Sequence, residues 1–366
     1  MPDAGAHGAT ANLPHRLGEP PPRRVAVFRA LQLGDMLCAV PALRALRAAL
    51  PEARITLLGL PWAESFVERF GHCLTDFIPF PGAPGLPERT PRPGELRAFL
   101  AAARERRFDL ALQMHGSGTH SNRLVLSLGA ALAAGFCDAT DHCPDTHWFI
   151  PYPQHQPEVR RMLRLVEHLG IPPQGEELEF PILTRDRHDF VRLAQMARLP
   201  DPPYVCVHPG ARAPARCWPP ERFAAVADAL AAQGLRIVLT GSSSESCLTT
   251  TVAHHMRAPS LNLAGQTTLG SLALLLRGAH LLICNDTGIS HIAAALRVPS
   301  VVIYSASSPQ RWAPLDRQRH RAVFHAIGCR PCSHAVCPIG HPCARRVVPD
   351  EVTRQALQLL DHYCRE

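Results

Sequence analysis

From Arg23 onward, short apolar runs alternate with longer segments in which Leu and Ala recur at helical spacing. "RVAVFRA" (24–30), "RITLLGL" (54–60), "DFIPF" (76–80), "RFDLALQM" (107–114) and "AALAAGF" (130–136) read as strands. "PALRALRAALP" (41–51) and "PWAESFVERF" (61–70) read as helices between them. Between residues 171 and 203 the pattern weakens into Pro and charge, as in an interdomain connection. It then restarts: "YVCVH" is a strand, and "PPERFAAVADALAAQG" is a helix opened by Pro and closed by Gly. "LRIVLT" is a strand, "TTLGSLALLLRGA" a helix with a Thr cap, and "HLLIC" and "SVVIYS" are strands. Strands alternating with helices predict parallel, doubly wound sheets. Two such blocks predict two Rossmann-like domains, with ligands expected at the carboxyl ends of the strands and in a cleft between facing domains.

The 366-residue length fits two domains. Apolar residues make up 46% and charged residues 19%, which suits a large globular core. No apolar run approaches the roughly 18 residues that span a bilayer. Residues 1–22 are rich in Pro, Gly and Ala and lack the apolar core of a signal peptide, so a disordered tail and a cytoplasmic location are expected. The net charge is +7, and every basic residue outside His is Arg. The arginines are scattered rather than striped, so a nucleic-acid surface is not indicated. A modest attraction to phosphate-bearing substrates or to anionic lipid is compatible with this charge.

Polar chemistry concentrates where strands hand over to helices. Three such loops lie in the second half. "HPGARAPARCWPPERF" (208–223) carries Arg212 and Arg216, "TGSSSES" (240–246) carries Glu245, and "NDTGISH" (285–291) carries Asp286, Thr287, Gly288 and His291. A strand end followed by Gly and a helix start is a ready anion site, because free amides and the helix dipole favour negative charge. Thr287 and the Gly288 amide would cradle a phosphate, Arg216 would neutralise it, and Glu245 would accept from a ribose. The competing reading is local: Asp286 or Thr287 capping the helix, Glu245 as a first-turn acid, Arg216 solvated, and Trp218 as a packing anchor. In the first half, Gly34–Asp35 follows a strand, and Asp35 is a candidate general base. The Gly-rich loop 114–124 offers His115, His120 and Arg123 as acceptor-binding candidates.

Taken together, the stretches "RALQLGDMLCAVPALRALRAALPEARI", "VHPGARAPARCWPPERFAAVADAL", "LTGSSSE" and "LAGQTTLGSLALLLRGAHLLICNDTGISHIAAALRVPSVVIYSASSPQRWAPL" resemble glycosyltransferase family 9, the ADP-heptose:lipopolysaccharide heptosyltransferases. The resemblance covers nearly the whole chain beyond residue 23. It implies the GT-B fold, two Rossmann-like domains facing across a cleft, and an inverting, metal-independent sugar transfer that requires no cofactor. It implies an ADP-heptose donor and a lipopolysaccharide-core acceptor. Residues 23–185 would bind the acceptor, residues 186–349 the nucleotide sugar, and the helix of 350–366 would pack back on the first domain. Asp35 would match the catalytic base, Thr287 and Gly288 the pyrophosphate contacts, with Asp286 and His291 in the same motif, and Glu245 the nucleoside contact. Arg216 stands where the family often has Lys, which keeps the charge and changes its geometry. Nucleotide-sugar epimerases share the fold and are the rival enzyme class; a nonenzymatic nucleotide-binding protein is the other alternative. A nicotinamide dehydrogenase is disfavoured, since no G-x-G-x-x-G follows a strand.

One feature stands outside this scheme. Cys329, Cys332, Cys337 and Cys343 have the spacing C-x₂-C-x₄-C-x₅-C. Four thiolates at such spacing are a candidate structural zinc site, against the alternative of reduced packing thiols.

Overall fold

The computed structural model describes residues 16–138, 140, 143–199 and 203–363. The chain forms two units. One comprises Met1–Leu31, Pro41–Pro153 and Val159–Glu176; the other comprises Gln32–Val40, Gln154–Glu158 and Glu177–Glu366.

The first unit is built on β1 (Arg24–Phe28), β2 (Arg54–Gly59), β3 (Asp76–Pro79), β4 (Leu110–Gln113), β5 (Leu132–Cys137) and β6 (Phe149–Pro151). They are joined through α1 (Leu33–Ala49), α2 (Glu64–Arg69), α3 (Glu95–Glu105) and α4 (Ser121–Leu126), and α5 (Glu158–His168) follows β6. All strand pairs are parallel, in the order β3-β2-β1-β4-β5-β6. Strands β1 and β4 are buried along nearly their whole length, as parallel strands covered on both faces must be. Phe28, Phe80 and Phe99 pack edge to face beneath them.

The second unit has α6 (Thr184–Ala197), β7 (Tyr204–His208), α7 (Pro220–Ala231), β8 (Arg236–Leu239), α8 (Ser246–His255), β9 (Ser260–Asn262) and α9 (Leu269–Gly278). It continues with β10 (Leu281–Asn285), α10 (Gly288–Ala295), β11 (Ser300–Ile303), α11 (Pro309–Trp312), β12 (His320–Val323), α12 (Pro342–Arg345) and α13 (Pro349–Tyr363). Its parallel sheet runs β12-β11-β10-β7-β8-β9. Both sheets therefore reverse their winding once, between β1 and β4 and between β7 and β10. Such switch points are where doubly wound sheets open a crevice beyond the strand ends. The helix punctuation follows the sequence: Pro220 starts α7, and Thr268 caps α9 by accepting from the Ser271 amide at 3.1 Å.

Three expectations change. The tail reading for residues 1–22 falls mostly on residues 1–15, outside the described residues. Arg16, however, is held: its amide donates to Leu169 O at 3.0 Å, and its guanidinium donates to His168 O at 3.1 Å. The connection at 171–203 contains α6, which packs on α9. Its charged residues mask the helical period, and only a narrow face including Asp186 and Leu193 is buried. Finally, α13, expected on the first domain, is grouped with the second unit. Val352, Ala356 and Leu359 enter the second unit's own core beside Trp218, Phe223 and the strands. Apolar residues spaced by three and four fit that sheet face, and burying them there satisfies the helix.

Candidate functional site

At the second sheet's switch point, β7 ends at His208 and β10 at Asn285, in adjacent register. Asn285 is fully buried and joins the loops that follow these strands. Its amide donates to Pro209 O at 2.7 Å, and its Oδ1 accepts from the Trp218 amide at 2.9 Å. One side chain thus pins both ends of the loop that carries Arg212 and Arg216. Trp218 is the packing anchor that its apolar neighbours require: it is fully buried, donates to Val347 O at 3.1 Å and meets Phe223 edge to face.

The second polar loop packs under the first. Glu245 Oε2 accepts from the Ser242 amide at 2.7 Å and from the Ser242 hydroxyl at 2.8 Å, closing a single helical turn. A Cβ on Gly210 would lie 2.0 Å from Glu245 Oε1, so glycine is required for this approach. The local reading of Glu245 as a turn acid therefore holds for one oxygen, and the other faces the Pro209–Trp218 loop. Buried His208 meets the Thr240 hydroxyl at 3.1 Å. Burial pushes its pKa below the ordinary value, against the pull of Glu245.

The third loop settles the capping question for Thr287. It sits at the N-cap of α10 in extended conformation, yet its side chain makes no cap hydrogen bond. Its hydroxyl and the first amides of α10 are thus left for another acceptor or donor. Asp286 is buried, and burial raises its pKa; the Ser307 hydroxyl, His291 and Arg216 pull it down, and Asp35 pushes it up. This places Arg216, half-buried, and Asp35 within electrostatic reach of Asp286. The Arg216 guanidinium has no hydrogen-bond or ion-pair partner among the described residues, so a second anion can use its charge.

The beginning of α1 belongs to the second unit and meets α10. Asp35 lies in its first turn. A Cβ on Gly34 would lie 2.8 Å from the His291 ring, and Cys38 Sγ is 3.6 Å from His291 Nδ1. His291 is buried, and burial holds its pKa below the ordinary value, so its neutral form is favoured. The structure thus brings Asp35, Arg216, Asp286, Thr287, Gly288 and His291 to one edge, with Glu245 beneath Gly210.

The first-half candidates separate. His115 is buried, accepts from the Ala30 amide at 3.2 Å, faces Glu88 at 3.6 Å and stacks on Phe28. Both ring nitrogens face protein groups, so it shapes the loop from within. His120 packs against Gly85. Arg123 alone of the three lines a cavity of about 480 Å³, with Gly118, Thr119, Asn122 and Asp138. A larger cavity of about 790 Å³ opens at the amino ends of β8 and β9, beside Arg236 and Ser260, at the opposite edge from the polar loops. The four-thiol segment presents no ready ion shell: no three of its sulfur atoms lie within 4.8 Å of one another. Burial raises the Cys343 pKa, and the three other thiols raise it further.

Sequence reasoning missed Asn285 and Gly210 as positioning residues. The signal for Asn285 was present: a buried polar residue ending an apolar strand must find partners.

A family profile described as glycosyltransferase family 9 (heptosyltransferase) matches residues 96–342. Lipopolysaccharide heptosyltransferase 2 of Escherichia coli K12 is 26% identical over 306 residues, covering 81% of this chain and 86% of that protein. Lipopolysaccharide heptosyltransferase 2 of Salmonella typhimurium is 24% identical over 314 residues, with the same coverage. Among solved structures, a family 9 glycosyltransferase from Veillonella parvula superposes with a TM-score of 0.75 at 21% identity, covering 93% of this chain and 97% of that one. The E. coli ADP-heptose lps heptosyltransferase II superposes with a TM-score of 0.69 at 24% identity, covering 93% and 99%.

Proposed function

The chain belongs to glycosyltransferase family 9, and from that premise we propose that it transfers heptose from ADP-heptose to a lipopolysaccharide-core acceptor, with inversion and without a metal ion. The carrying observation is that the Arg216 guanidinium has no hydrogen-bond or ion-pair partner among the described residues and stands near an α10 start whose Thr287 side chain makes no cap hydrogen bond. Positive charge, the Thr287 hydroxyl and free amides converge there, which is what a departing diphosphate needs. Glu245 supports a nucleoside contact, since its Oε1 has no hydrogen-bond partner among the described residues.

In this reading Asp35 accepts the proton of the acceptor hydroxyl as that oxygen attacks the anomeric carbon. The bond from that carbon to the diphosphate breaks, and the electron pair leaves with ADP. Arg216 and the α10 amides stabilise the growing negative charge. Asp286 and His291 shape the wall between base and diphosphate, and Arg123 is assigned to the acceptor side through its cavity. Burial pushes the Asp286 pKa up, and the attraction of Arg216 offsets part of that rise. Acceptors of this kind are membrane-borne, so the enzyme would work at the cytoplasmic face of the inner membrane. Among the described residues no helix is long and apolar enough to cross it.

A thermal-shift panel of ADP, UDP, GDP and CMP tests the donor class. ADP at about 100 times its Kd should stabilise the protein by about 2.7 kcal/mol, with no comparable shift from the others at equal concentration. A larger shift from another nucleotide would overturn the ADP assignment.

A further inference from the structure

The Cys-rich segment Cys329–Cys343 runs between β12 and α12 without regular structure until Pro342. Two of its residues close on Ala215, the middle residue of the single helical turn Pro214–Arg216. The Ala215 amide donates to Ala335 O at 3.0 Å, and His341 Nε2 donates to Ala215 O at 2.8 Å. Ala215 is buried, and the His341 bond to it is part-buried. Further along, the Cys332 amide donates to Ala306 O at 2.9 Å, and the Arg330 guanidinium donates to Tyr304 O at 3.3 Å. The segment therefore grips two loops at once: the turn that ends in Arg216, and the loop after β11.

We propose that the Cys-rich segment is a brace for the diphosphate site, with His341 as the positioning residue that orients Arg216 through Ala215. The inference rests on the reading of Arg216 as the diphosphate cation. A short turn has few bonds of its own. Here the Arg216 amide bonds to Ala213 O at 2.8 Å and the Cys217 amide to Pro214 O at 3.0 Å, both inside the turn. Neither fixes the turn against the rest of the sheet edge; the two bonds at Ala215 do. The amide of His341 also donates to Cys337 Sγ at 3.2 Å, which ties the imidazole's backbone to the thiol segment. This assigns the segment a role that does not require a bound ion.

The test is calorimetric binding of ADP to the full chain as wild type, His341→Ala and His341→Gln, each with Arg216 intact and with Arg216→Ala. Loss of one part-buried hydrogen bond that positions a charged contact should weaken ADP binding about five- to tenfold in His341→Ala. Gln places an amide nitrogen where Nε2 stood, so His341→Gln should bind within about twofold of wild type. In the Arg216→Ala background, His341→Ala should add less than about twofold, because the group it positions is gone. Unchanged ADP affinity in His341→Ala, with Arg216→Ala impaired, overturns the brace alone. Equal losses in both backgrounds also overturn it, since the effect would not pass through Arg216. If Arg216→Ala by itself binds ADP as wild type does, the diphosphate reading falls and the brace falls with it.

Discussion

Replacing Asn285 by Ala should be among the costliest single changes at the sheet edge. The substitution removes two hydrogen bonds, from Nδ2 to Pro209 O at 2.7 Å and from the Trp218 amide to Oδ1 at 2.9 Å. Both backbone partners belong to buried residues, and Ala leaves each without a replacement. An orphaned buried donor or acceptor costs about 1–3 kcal/mol, so the pair should cost about 2–6 kcal/mol. That is a large fraction of a typical folding free energy of about 5–15 kcal/mol. Urea unfolding followed by fluorescence measures the loss, and ADP calorimetry on the folded protein measures what the freed loop does to Arg216. Asn285→Asp sharpens the test. Its carboxylate still accepts from Trp218 but sets negative charge against Pro209 O and beside buried Asp286. It should be at least as damaging as Ala at neutral pH and partly recover on acidification, when the protonated acid can donate. An Asn285→Ala protein within about 0.5 kcal/mol of wild type, with unchanged ADP affinity, would refute the claim that this amide holds the loop.

Gly210→Ala places a methyl 2.0 Å from Glu245 Oε1, so the carboxylate must leave its Ser242 partners. ADP binding should weaken as much as in Glu245→Ala; a Gly210→Ala protein that binds normally refutes the close approach. His320 is buried against the Ser300 hydroxyl at 2.9 Å, and burial lowers its pKa from 6.5 to about 4. The unfolded chain takes up a proton below pH 6.5 that the folded one refuses until about 4, so stability falls as pH drops through that window. The share from this residue between pH 6.5 and 5 is about 2 kcal/mol. Urea unfolding across that range should show a shallower loss in His320→Gln; equal slopes would contradict the burial argument.

The sheets were legible because each strand is an apolar run closed by a Gly, Pro or polar turn, and each helix between them carries Leu or Ala at helical spacing. α6 was not, because charged residues along Thr184–Ala197 leave only a narrow apolar face, and its partner α9 lies far along the chain. The packing of α13 was inferred from resemblance, while its apolar positions are compatible with any sheet face; only the three-dimensional sheet shows which one they fill. At the site, the three polar loops were readable as anion chemistry at strand ends. Capping and ligand binding at Thr287 look alike in sequence, since both place Thr before a helix; the structure shows that its side chain makes no cap hydrogen bond. His115 shows the opposite failure. A His in a Gly-rich loop reads as accessible, yet its contacts with Ala30 and Glu88 are long-range and leave no trace in local sequence.

The most direct test of the central claim is a transfer assay with ADP-heptose and a heptose-deficient lipopolysaccharide core, run on wild type and Asp35→Ala with ADP binding measured on both. Wild type should extend the acceptor and release ADP. Asp35→Ala should bind ADP nearly as tightly while its turnover falls by about 10²–10⁴, the usual loss of a general base. Turnover by Asp35→Ala at the wild-type rate, or no transfer by a wild-type protein that binds ADP, would contradict the account.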